Sequence, residues 1–170
     1  MTPPEPLRSK PIFSIAIANG FGLGMMPVAS GTWGMLLGLP LAWGMHKLTG
    51  GAWLPFAALS LLLTVLAIPP CDRAEKWWGK KDDGRIVADE WMVFPVCMIG
   101  LTGSPWWVWT VAFLAGRFFD IVKFPPARGL QRLTGGLGIV IDDFFAMLYT
   151  LVFNHAVVFA VGRWFPQWLS

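Results

Sequence analysis

Charge is what this chain has least of. Only 14% of its 170 residues are Asp, Glu, Lys or Arg, against about 25% in a typical soluble domain. So few charges cannot clothe a water-facing surface, and 55% of the residues are hydrophobic. Much of the exterior is therefore expected to face lipid, or a very large partner surface. Tyrosine is nearly absent, with one residue against eleven Trp and thirteen Phe. The net charge of +3 is too small to argue for nucleic acid, and suits a protein held against anionic headgroups. Two cysteines, Cys71 and Cys97, match no metal or redox spacing and are expected to be packing residues. Of the two histidines, His46 falls near a helix end and His155 in an apolar segment. Neither has a Ser or Cys nucleophile beside it, so each is expected to make a polar contact only. No removable signal peptide is expected, because Arg8 and Lys10 precede a long apolar stretch without a cleavage site. Repeats, low-complexity tracts and linkers are missing, so residues 1–170 are read as one domain.

What the chain does have is long uncharged stretches. Residues 11–45 carry no charge, but Gly20, Gly22, Gly24, Pro27, Gly31 and Gly34 break their first part into an irregular glycine-rich loop. A helix is predicted from near Trp33 to Leu48, ending at Thr49-Gly50-Gly51. Residues 48–71 are the clearest spanning candidate, with an apolar core closed by Pro69-Pro70. A bilayer crossing needs about 20 such residues. Residues 91–116 are also uncharged but are cut at Thr102-Gly103-Ser104-Pro105, and 144–162 form the last candidate. The predicted fold is all-α: a compact multi-helix bundle embedded in the membrane, with an irregular N-terminal loop.

The few charges are segregated. Nine of the ten acidic and nine of the thirteen basic residues lie in two windows, 72–90 and 117–143. If both windows serve one site, they share one side of the membrane. Residues 91–116 must then cross twice, re-enter, or stay among other helices. A hairpin turning at Gly103-Ser104-Pro105 fits.

The first window contains Asp82, Asp83 and the pair Asp89-Glu90, with Gly84 marking a loop-to-helix junction. Carboxylates opening a helix complement its dipole, so capping explains Asp89-Glu90 equally well when the pair is taken alone. In the second window, Arg117, Asp120 and Lys123 fall at helical spacing, either as a salt-bridge ladder or as a functional face. An idle ladder at a membrane is costly. Asp142 and Asp143 are adjacent and would repel each other without a cation. Three acidic clusters among ten acids point to a divalent metal. Hard oxygen donors suit Mg²⁺, which also binds phosphate. The stretch Gly20-Phe21-Gly22-Leu23-Gly24 follows no strand, so a dinucleotide reading fails. It could present backbone N–H groups to a phosphate, with Thr32 donating a hydroxyl, or simply pack tightly.

These residues resemble a known family. The run from Gly20 to Gly24, then Pro27 and Ala29-Ser30-Gly31-Thr32-Trp33-Gly34, resembles the N-terminal glycine motif of phosphatidylglycerophosphatase A. Asp82 with Ile86-Val87-Ala88-Asp89-Glu90 resembles its second motif. The run from Arg117 to Lys123, then Gly135 to Asp143, resembles its third and fourth. The likeness covers roughly residues 18–146. It departs at Ser30 and Phe124, where the family usually has Pro, at Thr134, often His, at Gln131, often an acid, and at Met147, usually Gly. The resemblance implies a multi-pass, Mg²⁺-dependent phosphatase of the bacterial inner membrane. It would convert phosphatidylglycerophosphate to phosphatidylglycerol and phosphate in phospholipid biosynthesis, at the cytoplasmic face.

On that basis Asp89, Glu90, Asp142 and Asp143 are expected to bind metal and carry catalysis, with Asp82 as a further ligand and Asp120 beside them. Arg117 and Lys123 are expected to stabilise phosphoryl charge, and the glycine loop with Gly31 and Thr32 to hold the phosphate. Direct water attack and an aspartyl-phosphate intermediate both stay open. Rival readings are another lipid-phosphate hydrolase or phosphotransferase, a carboxylate-lined cation transporter, and a soluble helical domain with a greasy surface. The Asp-Gly…Ala-Arg pattern of the alcohol phosphotransferases and the Ser-Gly-His element of the histidine-based lipid phosphatases are missing. A transporter predicts acids inside the spans, whereas these cluster between apolar segments.

Overall fold

The computed structural model describes residues 11–130 and 133–169. Arg8, Lys10 and Gln131 lie outside the described residues. All regular elements among the described residues are helical: α1 (Ile12–Ala18), α2 (Ser30–Leu48), α3 (Trp53–Trp78), α4 (Ala88–Val93), α5 (Trp106–Val122), α6 (Ala127–Leu130) and α7 (Gly136–Trp164), with 3₁₀ turns at Gly20–Met25, Phe94–Met98 and Pro166–Trp168.

The N-terminal region corrects one expectation. Residues 12–18 form a helix rather than loop, and α2 begins at Ser30, three residues before Trp33. The irregular stretch shrinks to residues 19–29. There the Asn19 side chain accepts a hydrogen bond from Gly22 N at 2.9 Å while Phe21 and Gly22 take positive φ. The predicted end of α2 at Leu48 holds.

Prolines mislead at α3. Pro69 and Pro70 were expected to close it, yet the helix runs on to Trp78 and ends at Gly79 in the left-handed conformation. A proline removes a donor and crowds the preceding turn. Here Cys71 and Ala74, beyond the prolines, are fully buried in the core, and that packing outweighs the local penalty. Likewise α7 starts at Gly136 instead of near Phe144, which places Asp142 and Asp143 in its second turn.

The centre of the bundle is α4 and its 3₁₀ continuation, where Val93, Phe94, Val96, Cys97 and Met98 are fully buried. Helices α2, α3, α5 and α7 pack around this segment. Gly38 of α2 permits a close approach, since a Cβ there would lie 2.5 Å from Phe94 Cβ. The chain turns through residues 99–105 at the level of the last turn of α2, where His46 Nδ1 meets Thr102 Oγ1 at 2.9 Å. It then returns as α5. The expected hairpin is present, its first arm enclosed by other helices. His155 bonds the Ile99 carbonyl across 3.0 Å, and both cysteines are free and buried.

Two helices, α3 and α7, are long and apolar enough to cross a membrane. Their 26 and 29 residues extend about 39 and 43 Å, beyond a hydrocarbon core of roughly 30 Å. A core helix of a soluble protein would be mostly buried. Only 28% and 22% of their apolar windows are, and Leu61, Leu62, Val65, Val152 and Phe159 stand exposed. The topology brings the start of α2, the end of α3, α4, the end of α5 and the start of α7 to one end of the bundle.

Candidate active site

At that end lies a pocket of about 300 Å³ lined by Ser30, Asp82, Gly84, Ile86, Asp89, Glu90, Asp120, Ile121, Lys123, Asp142 and Asp143. All six carboxylates singled out from the sequence meet here, from four separate parts of the chain.

Each is positioned by a local device. Asp82 is carried on the turn after α3 at φ 48°. The turn is pinned on both sides. Arg85 donates from Nε and Nη2 to the Asp83 carboxylate at 2.8 and 3.0 Å and lies over the Trp78 ring, 4.5 Å from its centroid. That hydrogen bonding holds the Asp83 carboxyl below its ordinary pKa, overcoming the effect of partial burial. Ser30 Oγ donates to the Gly84 carbonyl at 2.6 Å. Asp89 and Glu90 occupy the first turn of α4, as the capping reading requires, but they are also buried in the pocket. The two residues thus open the helix and line the pocket at once.

The glycine motif acts at Glu90. A Cβ on Gly31 would collide with Glu90 Oε1 and stand 3.0 Å from Arg117 Nη1, and one on Gly34 would lie 3.1 Å from Glu90 Oε2. The first turn of α2 is thus bare backbone so that it can lie against this carboxylate. Gly31 and Thr32, expected at the phosphate, do not line the pocket. Gly31 sits behind Glu90, and Thr32 is half-buried in the first turn of α2.

The basic residues divide their work. Arg117 Nη1 donates to Asp120 Oδ2 at 2.6 Å and lies 4.0 Å from Glu90 Oε1, while its buried Nε has no hydrogen-bond partner. Lys123 is not on the face of α5. It caps the helix in the left-handed conformation, φ 48°, which swings its Nζ to 2.6 Å from Asp142 Oδ2 and 3.9 Å from Asp120 Oδ1. Burial alone would lower the pKa of Lys123; the hydrogen bond and charge of Asp142 outweigh it and hold the ammonium above its ordinary value.

Among the described residues six carboxylates stand with two cations, Lys123 and Arg117, an excess of negative charge. Burial, then the neighbouring carboxylates, raise the pKa values of Asp89 and Glu90 well above the usual range. Asp89 Oδ1, Glu90 Oε2, Asp142 Oδ1 and Asp143 Oδ2 are buried without a partner. Buried polar atoms are ordinarily satisfied, so four orphaned acceptors around one pocket call for a cation. The donor set fits Mg²⁺, being all hard oxygen. Among the described residues no three of these groups stand in an arrangement that could hold an ion as they are.

Sequence reasoning missed Ser30, Gly84, Ile86 and Ile121 as lining residues. Ile86 and Ile121 carry no chemical signal. Ser30 had one, as the hydroxyl residue opening the helix that follows the glycine run.

The family model for phosphatidylglycerophosphatase A matches residues 16–158. The chain belongs to that family. A phosphatidylglycerophosphatase A of Haemophilus influenzae is 35% identical over 170 residues, covering 96% of this chain and 99% of the relative. The Escherichia coli K12 protein of the same name is 30% identical over 152 residues, covering 88% and 84%. A Bacteroides thetaiotaomicron protein, provisionally named phosphatidylinositol-3-phosphatase, is 34% identical over 159 residues, covering 88% and 93%. No solved structure matches. All of the candidate site, from Ser30 to Asp143, lies inside the matched family region.

Proposed function

We propose that this protein hydrolyses the terminal phosphate monoester of phosphatidylglycerophosphate, giving phosphatidylglycerol and phosphate, in a Mg²⁺-dependent reaction at a bacterial inner membrane. The observation that carries this reading is the pocket of six carboxylates, four with orphaned buried oxygens, flanked by Lys123 and Arg117 at one end of an apolar bundle. A phosphate monoester needs cations against its oxygens and a base for water. A lipid substrate explains why that chemistry sits in a greasy helical protein.

Asp89, Glu90, Asp142 and Asp143 would hold the metal, with Asp82 at the rim. Mg²⁺ there would supply Lewis acidity toward the phosphoryl oxygens. Lys123, which lines the pocket, binds and orients the phosphate by exchanging part of its contact with Asp142, while Arg117 stands behind the pocket and holds Asp120 and Glu90 in place. Water adds to phosphorus as the ester P–O bond breaks. The proton lost by water goes to a carboxylate, and the carboxyl cluster returns a proton to the glycerol oxygen, which leaves as a hydroxyl. Asp89 and Glu90, with proton affinity raised by burial and by the neighbouring carboxylates, are the candidates for that base.

Charge distribution supports a cytoplasmic site and several crossings. Arg73, Lys76, Lys80, Arg85, Arg117, Lys123 and Arg128 belong to segments at the pocket end, whereas Lys47 and Arg163 close α2 and α7 at the other. Such an excess of Lys and Arg marks the inner side of membrane proteins.

The test is phosphate release by the detergent-purified protein from phosphatidylglycerophosphate, with Mg²⁺ or EDTA, beside phosphatidic acid and phosphatidylinositol 3-phosphate. Release that needs Mg²⁺ and favours phosphatidylglycerophosphate supports the proposal. Preference for either other lipid moves the substrate within the same chemistry. No release from any of them overturns it.

A further inference from the structure

A second cavity lies beside the carboxylate pocket. It is a groove of about 340 Å³ lined by Val111, Leu114, Ala115, Phe118 and Phe119 of α5 and Phe153 of α7. All six are apolar. Residues 111, 114, 118 and 121 recur at helical spacing and form one stripe along α5. Ile121, at the end of this stripe, lines the carboxylate pocket. Phe118, one turn earlier, lines the groove. Pocket and groove are therefore continuous along one helix face. Leu114, Phe118 and Ile121 are 61%, 54% and 70% exposed, so the path is open rather than packed over.

The junction is also built. Lys123, at the pocket, is followed by Phe124, whose ring packs 6.5 Å from Phe118 and 5.8 Å from Phe119. Tyr149 stands 5.9 Å from Phe119 and donates its hydroxyl to the Pro125 carbonyl at 2.6 Å. Phe153 closes the far wall, 6.1 Å from Phe119. A set of aromatic rings thus fixes the loop that carries Lys123 and frames the groove at once.

We infer that this groove seats one acyl chain of the lipid whose phosphate occupies the carboxylate pocket. The inference rests on the lipid-phosphatase reading and adds to it a subsite for the chain. A phosphate bound at Lys123 leaves the rest of the molecule to exit past Ile121. The apolar stripe begins there. Burying methylenes against Leu114 and Phe118 favours long-chain substrates. Because the groove belongs to the same helix as Asp120, chain binding and phosphate placement are coupled.

The experiment compares Leu114→Trp, which fills the groove from an exposed position, with Val65→Trp on the exposed face of α3. Phosphate release is measured from long-chain phosphatidylglycerophosphate in mixed micelles and from a water-soluble short-chain form. Leu114→Trp is expected to lower the ratio of long-chain to short-chain kcat/KM about tenfold, equivalent to losing apolar contact with about two methylenes. Val65→Trp should keep the wild-type ratio. Leu114→Ala guards against misfolding: it should retain the wild-type melting temperature and shift the ratio in the same direction, by less. The inference is overturned if Leu114→Trp leaves the ratio unchanged, or if Val65→Trp moves it equally, because bulk lipid and not the substrate would then cover the groove. Failure of the wild-type protein to release phosphate from either form would instead overturn the phosphatase reading.

Discussion

Substituting Gly31 by alanine should cut turnover about 100-fold with little loss of stability, whereas Gly34 by alanine should chiefly destabilise the fold. Both glycines lie in the first two turns of α2 and both face α4. A Cβ on Gly31 meets only side-chain ends, Glu90 Oε1 and Arg117 Nη1. Those ends can swing aside. The stability cost is then small, and the better helix propensity of alanine, worth up to about 1 kcal/mol, offsets much of it. Glu90 has little freedom, however. Its other oxygen already lies where a Gly34 Cβ would be 3.1 Å away, and its side chain is only 13% exposed. Moving it displaces one carboxylate of the site and disturbs its 4.0 Å approach to Arg117. A misplacement of about 1 Å in a reacting constellation costs on the order of 100-fold in rate. A Cβ on Gly34, by contrast, would lie 2.6 Å from Val87 Cβ and 3.2 Å from Val87 O. Val87 is fully buried and its N–H donates to the Ala18 carbonyl at 2.7 Å, so main chain must move. Overpacking of this kind costs about 1–3 kcal/mol, or a melting temperature lower by about 2–12 °C in a chain of this size. The assays are Mg²⁺-dependent phosphate release and thermal unfolding in the same detergent. Wild-type turnover in Gly31→Ala, at any melting temperature, would refute the role given to the α2 backbone.

Asp89→Asn and Asp143→Asn keep side-chain shape and remove a buried charge, so each should eliminate phosphate release with the melting temperature held or raised; near-normal activity in either would remove that residue from the site. Lys123→Met strips Asp142, whose side chain is 4% exposed, of its 2.6 Å partner. Leaving a buried charge unpaired costs about 3 kcal/mol, roughly 10 °C in melting temperature, and an unchanged melting curve would contradict the pair. The raised proton affinities of Asp89 and Glu90 also set a pH dependence. Between the ordinary carboxylate range and their folded values, the native state binds more protons than the unfolded chain, so stability present at low pH declines as pH rises through that window. Metal competes with those protons. Mg²⁺ should therefore raise the melting temperature more at about pH 8 than at about pH 5, and equal or opposite shifts would argue against these carboxylates as ligands.

The site was legible in the sequence because its chemistry is concentrated: a chain poor in charge cannot scatter acids without cost, so acidic pairs bounded by apolar runs stand out. Asp82, Asp89, Glu90, Asp120, Asp142 and Asp143 all reach one pocket. The helices were less legible where tertiary packing overrides local signals. Pro69-Pro70 reads as a stop, yet Cys71 and Ala74 carry α3 onward into the core. Residues 144–162 read as the last apolar segment, yet α7 already starts at Gly136. A Cβ on Gly136 would collide with the Ile68 carbonyl, so the sequence signal for looseness marks a close approach of two helices. The same inversion governs the N-terminal glycines. They suggest a flexible cradle for phosphate, but Gly31 and Gly34 are where the backbone of α2 lies against Glu90 and Val87. In a bundle this apolar, glycine records which backbones touch more often than which ones bend. The groups that bind the substrate are then the acids and bases such contacts hold in place.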